Sequence, residues 1–180
     1  GKKDSIMYWD FPEYDQVSIE ENDAVDQVAH ELYSAVQAEL MSDVPLGAFL
    51  SGGVDSPLVC YHAGSNTSND FNTFSMGSDS PVHDESYLSS QYAEFLGTKH
   101  HTIEMNAKNS LEALEKAVTA VGEPLGDFSI LPTWQVSKLA SSRVTVALSG
   151  DGGDELFFGY ERFRSIAKNH WLWSFPYPVR

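Results

Sequence analysis

The sequence predicts an α/β fold built on a doubly wound parallel sheet. Three observations carry this. Short apolar runs of strand length alternate with longer stretches of helical periodicity along the chain. Two of those runs, ending at Leu50 and Leu148, lead directly into Ser-Gly turns. Each turn is followed by a helix signal, the strand–turn–helix order of a βαβ unit.

Residues 1–20 are polar and aromatic, with Tyr8-Trp9-Asp10-Phe11-Pro12, and read as a linker entering a domain. An amphipathic helix is expected over 22–42, capped by Asn22 or Asp23, with Val25, Val28, Leu32, Val36 and Leu40 as its apolar stripe. Leu46-Gly47-Ala48-Phe49-Leu50 is a buried strand, and Pro57 to Ala63 opens a helix with proline in its first turn. Residues 65–70 are a polar loop, 71–77 a second strand and 78–83 a loop. A helix from Asp84 or Glu85 to Leu96 presents Tyr87, Leu88, Tyr92, Phe95 and Leu96, and Gly97 ends it. Lys99 to Met105 is a third strand; His100 and His101, being adjacent, point to opposite faces and do not share an ion. A helix over 109–121 carries Leu111, Leu114, Val118 and Val121. After the turn at 122–127, another helix covers 130–141 with Pro132 in its first turn. Arg143 to Leu148 is a fourth strand, followed by a second Ser-Gly turn, an aromatic run over 156–160 and an aromatic helix over 162–173.

Composition bounds the function. The chain has 180 residues, of which 42% are apolar, with no run long enough to span a membrane and no visible signal peptide. Cys60 is the only cysteine, which excludes a disulfide framework and favours a buried core thiol. Net charge is 11 − 26 = −15, which argues against nucleic acid as a partner. Between Asp4 and Thr98 there are seventeen Asp and Glu and no Lys or Arg. A phosphate ligand bound there needs Mg²⁺, or cations from another part of a polypeptide, to offset its charge.

The chemistry-bearing stretch is Ser51-Gly52-Gly53-Val54-Asp55-Ser56. Strand, glycine turn and helix together aim backbone N–H groups and a helix N-terminus at an anion. Gly52 and Gly53 let the backbone approach phosphate oxygens, and Ser51 and Ser56 add hydroxyls. Asp55 beside a phosphate cradle implies a bridging divalent cation, Mg²⁺. A Walker loop is excluded because its Gly-Lys-Ser/Thr ending is absent. The second turn, Ser149-Gly150-Asp151-Gly152-Gly153-Asp154-Glu155, faces the same crevice if its strand neighbours the first. That arrangement gathers Asp55, Asp151 and Asp154 around one ligand. The plainer reading of the second turn is an acidic helix start, with Asp154 as cap.

The loop resembles the Ser-Gly-Gly-x-Asp-Ser pyrophosphate loop of the ATP pyrophosphatases. Together with Val44 to Leu50, Ala147 to Tyr160, Glu123-Pro124-x-x-Asp127 and Leu96-Gly97-Thr98-x-His100-His101, it resembles the synthetase domain of glutamine-dependent asparagine synthetases over about residues 25–165. The resemblance implies a Rossmann-like adenine nucleotide alpha hydrolase (PP-loop) fold, with residues 1–21 a linker from an N-terminal domain and 22–180 a C-terminally truncated synthetase domain. It implies that ATP adenylates the side-chain carboxylate of aspartate, releasing pyrophosphate, and that ammonia from a separate glutaminase domain then displaces AMP. By resemblance, Ser51, Gly52, Gly53, Asp55 and Ser56 hold pyrophosphate and Mg²⁺, and Asp154 is a second Mg²⁺-associated carboxylate. Leu50, Met76, Ser149 and Gly150 contact the nucleotide. Asp151, with Asp55, is the catalytic carboxylate, placed to orient or deprotonate incoming ammonium.

Two departures stand out. Pro57 replaces a serine common in the family, and Phe158 replaces the glycine of Phe-Gly-Gly-Tyr. No N-terminal nucleophilic cysteine is present, and the family's later Lys-bearing part is missing. The expectation is therefore a nucleotide-binding core with little or no activity alone. A cytoplasmic location is expected, and a homodimer of the full-length protein is left open. Related amide-forming enzymes, a β-lactam synthetase or a sugar-acid amidotransferase, share these motifs. A non-catalytic nucleotide module is the reading from a different class, and the retained carboxylates argue against it.

Overall fold

In the computed structural model the described residues are 3–10, 18–64, 70–80, 84–123, 125–127 and 129–171. The predicted features at 11–17, 65–69, 81–83, Pro124 and 172–173 lie outside them. Helices α1 (Glu21–Glu39), α2 (Asp55–Gly64), α3 (Ser86–Leu96), α4 (Ala107–Val121), α5 (Ile130–Ser141), α6 (Gly153–Phe157) and α7 (Glu161–Lys168) alternate with strands β1 (Leu46–Phe49), β2 (Asn72–Ser78), β3 (Lys99–Met105) and β4 (Val146–Leu148).

The sheet is wholly parallel, in the order β3-β2-β1-β4. Strands β1 to β3 step outward on one side, and the chain then crosses back to set β4 on the other flank of β1. The direction of winding reverses between β1 and β4, with Gly47 opposite Ala147 and Ala48 opposite Leu148. This is the doubly wound α/β architecture the sequence predicts. In sheets of this kind ligands bind beyond the carboxyl ends of the strands at the reversal, here β1 and β4.

Each face of the sheet has its own core. Ala48, Leu50, Cys60, Ala63, Phe71 and Ala93 pack with Val36 of α1 on one face. Phe74, Ala140 and Val144, with Phe49, Val136 and Leu139, fill the other beneath α5. Consecutive strand residues thus alternate between the cores. Burial pushes the Cys60 thiol up to about 12, which keeps it a neutral core side chain.

Several helix faces differ from the sequence expectation. The residues of α3 and α4 buried to the full are small: Ser89 and Ala93 in α3, Ala113 and Ala117 in α4. Tyr92 and Leu96 pack partly against the core, but Tyr87, Leu88, Phe95, Leu111, Leu114 and Val118 are exposed. Close approach to a neighbouring layer selects small side chains, and the large ones are turned outward. In α1 only the C-terminal half is packed, through Leu32, Val36 and Leu40, while Val25 and Val28 are exposed. At about 28 Å, α1 is nearly twice the length of α2, at about 15 Å, against which it lies.

Some ends move as well. Glu20, not Asn22 or Asp23, is the N-cap of α1, and it makes no side-chain cap bond. Helix α4 begins two residues before its predicted start, because Asn106 and Asn109 form a reciprocal capping box. Arg143 and Val144 donate to the Ala140 carbonyl and close the end of α5, so β4 is shorter than predicted.

His100 and His101 do face opposite ways. His100 bridges Thr73 Oγ1 and Ser75 Oγ, each at 3.0 Å, while His101 stacks on Phe74 and contacts Asn72 Oδ1 at 2.9 Å. Burial lowers the His100 pKa below the usual imidazole value, and the charge of His101 adds to this. Burial also lowers that of His101, with Arg143 and Lys99 acting in the same direction. The unfolded chain therefore takes up protons near pH 6.5, while the folded chain does so only at lower pH. Stability is complete above about pH 6.5 and is lost as pH falls from there toward the folded pKa values. Denaturant midpoints measured from pH 7.5 to 5.5 are expected to fall, and His100→Gln is expected to flatten that fall. An unchanged slope in the variant would contradict this assignment.

Candidate functional site

The site forms where the β1 and β4 turns meet. Leu50, 1% exposed, anchors the end of β1 by donating its N–H to the Phe74 carbonyl at 2.8 Å. The loop then folds on itself. Ser56 Oγ accepts from the Ser51 N–H at 2.9 Å and lies 2.9 Å from Ser51 Oγ, which accepts from the Gly53 N–H at 3.2 Å. Helix α2 begins at Asp55, so Pro57 does fall in its first turn. Its leading amides have no partner within the helix.

The second turn closes directly on this loop. A Cβ at Gly150 would lie 2.7 Å from the Ser56 nitrogen and 3.1 Å from Asp55 Cβ. A Cβ at Gly153 would lie on the Asp55 carboxyl group. Glycine at 150 lets the two backbones approach this closely, and glycine at 153 leaves room for the Asp55 side chain. The predicted meeting of two turns about a hundred positions apart is therefore present.

The predicted residues take distinct places. Ser56 is buried and Asp55 half-buried; Ser51 and Gly53 are exposed on the loop rim. Ser149 Oγ accepts from the Asp151 N–H at 2.9 Å, which shapes the turn before α6 and leaves Asp151 exposed. Asp154 is half-buried, its backbone carbonyl accepting from the Gly159 N–H at 3.0 Å. It is not a helix cap: Gly152 holds that position with a φ of 94°. Met76 lies on β2, half-buried, on the sheet face shared with Phe49 and Phe74. Among the described residues no group of three His, Cys, Asp or Glu side chains could hold a metal ion. Asp55, Asp151 and Asp154 thus form no ready-made metal cluster.

Sequence reasoning missed Glu85. Its carboxylate accepts from the Gly52 N–H at 3.0 Å, across 33 positions of chain. Asp84 places it: Asp84 Oδ1 accepts from the Ser86 N–H at 3.1 Å and the Ser78 N–H at 3.3 Å. The Ser86 hydrogen bonds chiefly hold the Asp84 carboxyl below the usual carboxylate range. The acidic pair before α3 was the only available signal, and it reads equally well as a helix start.

Beyond α6, Phe158 occupies left-handed backbone, at φ 56° and ψ 38°, where the family pattern has glycine. Its ring meets Phe163 edge-on at 5.3 Å. A side chain in this region costs about 1 kcal/mol. Phe158→Gly is expected to be about 1 kcal/mol more stable than Phe158→Ala, since both lose the ring and only alanine keeps the strain. Equal unfolding midpoints would show that the backbone relaxes elsewhere.

A model of the asparagine synthase family matches residues 27–178. A Methanocaldococcus jannaschii protein provisionally named a glutamine-hydrolyzing asparagine synthetase is 37% identical over 154 residues, covering 85% of this chain and 30% of the relative. Asparagine synthetase 1 of Bacillus subtilis, also named as glutamine-hydrolyzing, is 36% identical over 148 residues, covering 82% of this chain and 23% of the relative. The chain thus spans under a third of the curated relatives it matches. Among solved structures, an NH3-dependent NAD synthetase from Campylobacter jejuni aligns with a TM-score of 0.50 at 15% identity, covering 75% of this chain and 60% of that one. That likeness is one of fold.

Proposed function

Since the chain belongs to the asparagine synthase family, we propose that it is the nucleotide-binding core of an ATP-dependent ligase that adenylates aspartate and forms an amide with ammonia. The observation carrying this reading is the closure of the second turn on the loop, with Gly150 and Gly153 against Asp55 and Ser56. The pyrophosphate of ATP lies along the Ser51–Ser56 loop and the first amides of α2, where hydroxyls and N–H groups gather at one helix end. The adenosine side of the ligand runs past the ends of β1 and β2, near Leu50, Met76, Ser149 and Gly150.

The residues fit a magnesium-bound polyphosphate better than a bare metal. No described cluster of three ligands exists, and Mg²⁺ commonly uses one or two carboxylates together with phosphate oxygens and water. Asp55 and Asp154 are the carboxylates assigned to it, and the ion supplies the positive charge that offsets the phosphates. Asp151, exposed at the crevice, is assigned to hold the incoming ammonium and accept its proton. Ammonia reaches the site from a glutaminase domain outside this chain. The reading carries with it a cytoplasmic setting and is compatible with a homodimer of the full-length protein. Among the described residues no helix is long and apolar enough to cross a membrane.

The test is aspartate-dependent exchange of labelled pyrophosphate into ATP, beside a panel of other carboxylates. Exchange with aspartate supports the reading. Exchange with another carboxylate alone reassigns the substrate to a β-lactam or sugar-acid type. Binding of ATP without exchange for any of them, in a chain joined to the rest of its polypeptide, leaves a nucleotide module without chemistry.

A further inference from the structure

Resting on the reading of the Ser51–Ser56 loop as a pyrophosphate site, we propose that Glu85 is a resident stand-in for phosphate. Its carboxylate occupies the Gly52 N–H in the ligand-free chain and must leave when polyphosphate enters. The charge of Glu85 therefore sets the affinity of the loop.

Three observations converge on this. The Gly52 N–H, one of the two glycine amides the loop would offer an anion, is held by Glu85 Oε2 at 3.0 Å. A carboxylate and a phosphoryl oxygen are both anionic acceptors, so they compete for one donor. Second, the contact is built into the fold. A Cβ at Gly52 would stand 3.0 Å from Glu85 Cβ and 3.2 Å from Leu88 Cβ, so the start of α3 is seated directly on the loop. Asp84, bonded to the Ser78 and Ser86 N–H groups, ties that helix start to the end of β2. Third, Glu85 is exposed. Its carboxylate can swing into water without breaking core packing, as a displaceable group must. The adjacent Gly53 N–H is bonded to a neutral hydroxyl, Ser51 Oγ, which carries no such repulsion.

The test uses the 180-residue chain, isotope-labelled, with Glu85→Gln and Glu85→Ala. The probe is inorganic pyrophosphate with Mg²⁺, followed by calorimetry and by the Gly52 amide resonance. Glutamine keeps an acceptor at the same reach and removes the charge. Glu85→Gln is expected to bind pyrophosphate about tenfold more tightly, the scale of one nearby like charge removed at a solvated site. Without ligand, the Gly52 resonance is expected to shift upfield in Glu85→Ala, and in the wild type it should move as pyrophosphate is added. Equal or weaker binding by Glu85→Gln overturns the displacement while leaving the pyrophosphate site standing. A Gly52 resonance indifferent to Glu85→Ala overturns it too. If neither the wild type nor either variant binds pyrophosphate, the reading of the loop falls and the displacement falls with it.

Discussion

Gly150→Ala is expected to abolish measurable binding of ATP and pyrophosphate and to destabilise the fold by about 1–3 kcal/mol, the usual cost of forcing an extra methyl into a packed site. The new Cβ would stand 2.7 Å from the Ser56 nitrogen and 3.1 Å from the Asp55 carbonyl carbon. Those neighbours are backbone at the start of α2 and cannot rotate aside. Relief requires the β4 turn to move off the β1 turn, which pulls the two loops apart. Denaturant unfolding and ATP titration check both parts. Gly64→Ala serves as the control, because among the described residues a Cβ there meets nothing within 4 Å. It should keep binding and lose no stability. A Gly150→Ala protein that binds ATP normally would mean that the two turns act separately.

The second large effect is expected at Asp55. Asp55→Asn should weaken Mg²⁺-dependent ATP binding by at least about 100-fold, the upper end of what removing even an outer partner of a metal site costs. Asparagine keeps the shape that Gly153 packs against, so stability should stay within about 0.5 kcal/mol of the wild type. Calorimetric titration with and without Mg²⁺ separates the cases. Binding indifferent to both Mg²⁺ and Asp55 would remove the metal bridge and leave a plain nucleotide module.

The site was legible in the sequence to the extent that it is local. Ser51 to Ser56 lies between an apolar strand and a helix, the order the sequence predicts for it. The like turns after two strands raised the pairing of β1 with β4 only as a condition, and the structure supplies it. Glu85 was not readable. Its contact with Gly52 depends on α3 coming down on the loop, and no periodicity reports where the end of one helix lands. The outward faces of α3 and α4 failed for another reason. Large apolar residues mark a helix face only when burial selects for size. Against the layers these two helices meet, contact selected for smallness: Ser89, Ala93, Ala113 and Ala117.

The β1–β4 pairing also bears on how the molecule comes into being. Strands β1, β2 and β3 lie within sixty residues of one another, whereas β4 joins β1 only after about a hundred residues have been made. Closing so long a loop is entropically costly, and contacts of such separation form slowly. The three-residue β4 has few ladder bonds to repay that cost. Folding can therefore advance through a half-sheet that already carries the first turn but lacks its opposite wall. A polyphosphate that grips both turns would favour the completed state through mass action. Its binding free energy would act on the last seam to close, so that the completed sheet would be more populated when polyphosphate is present.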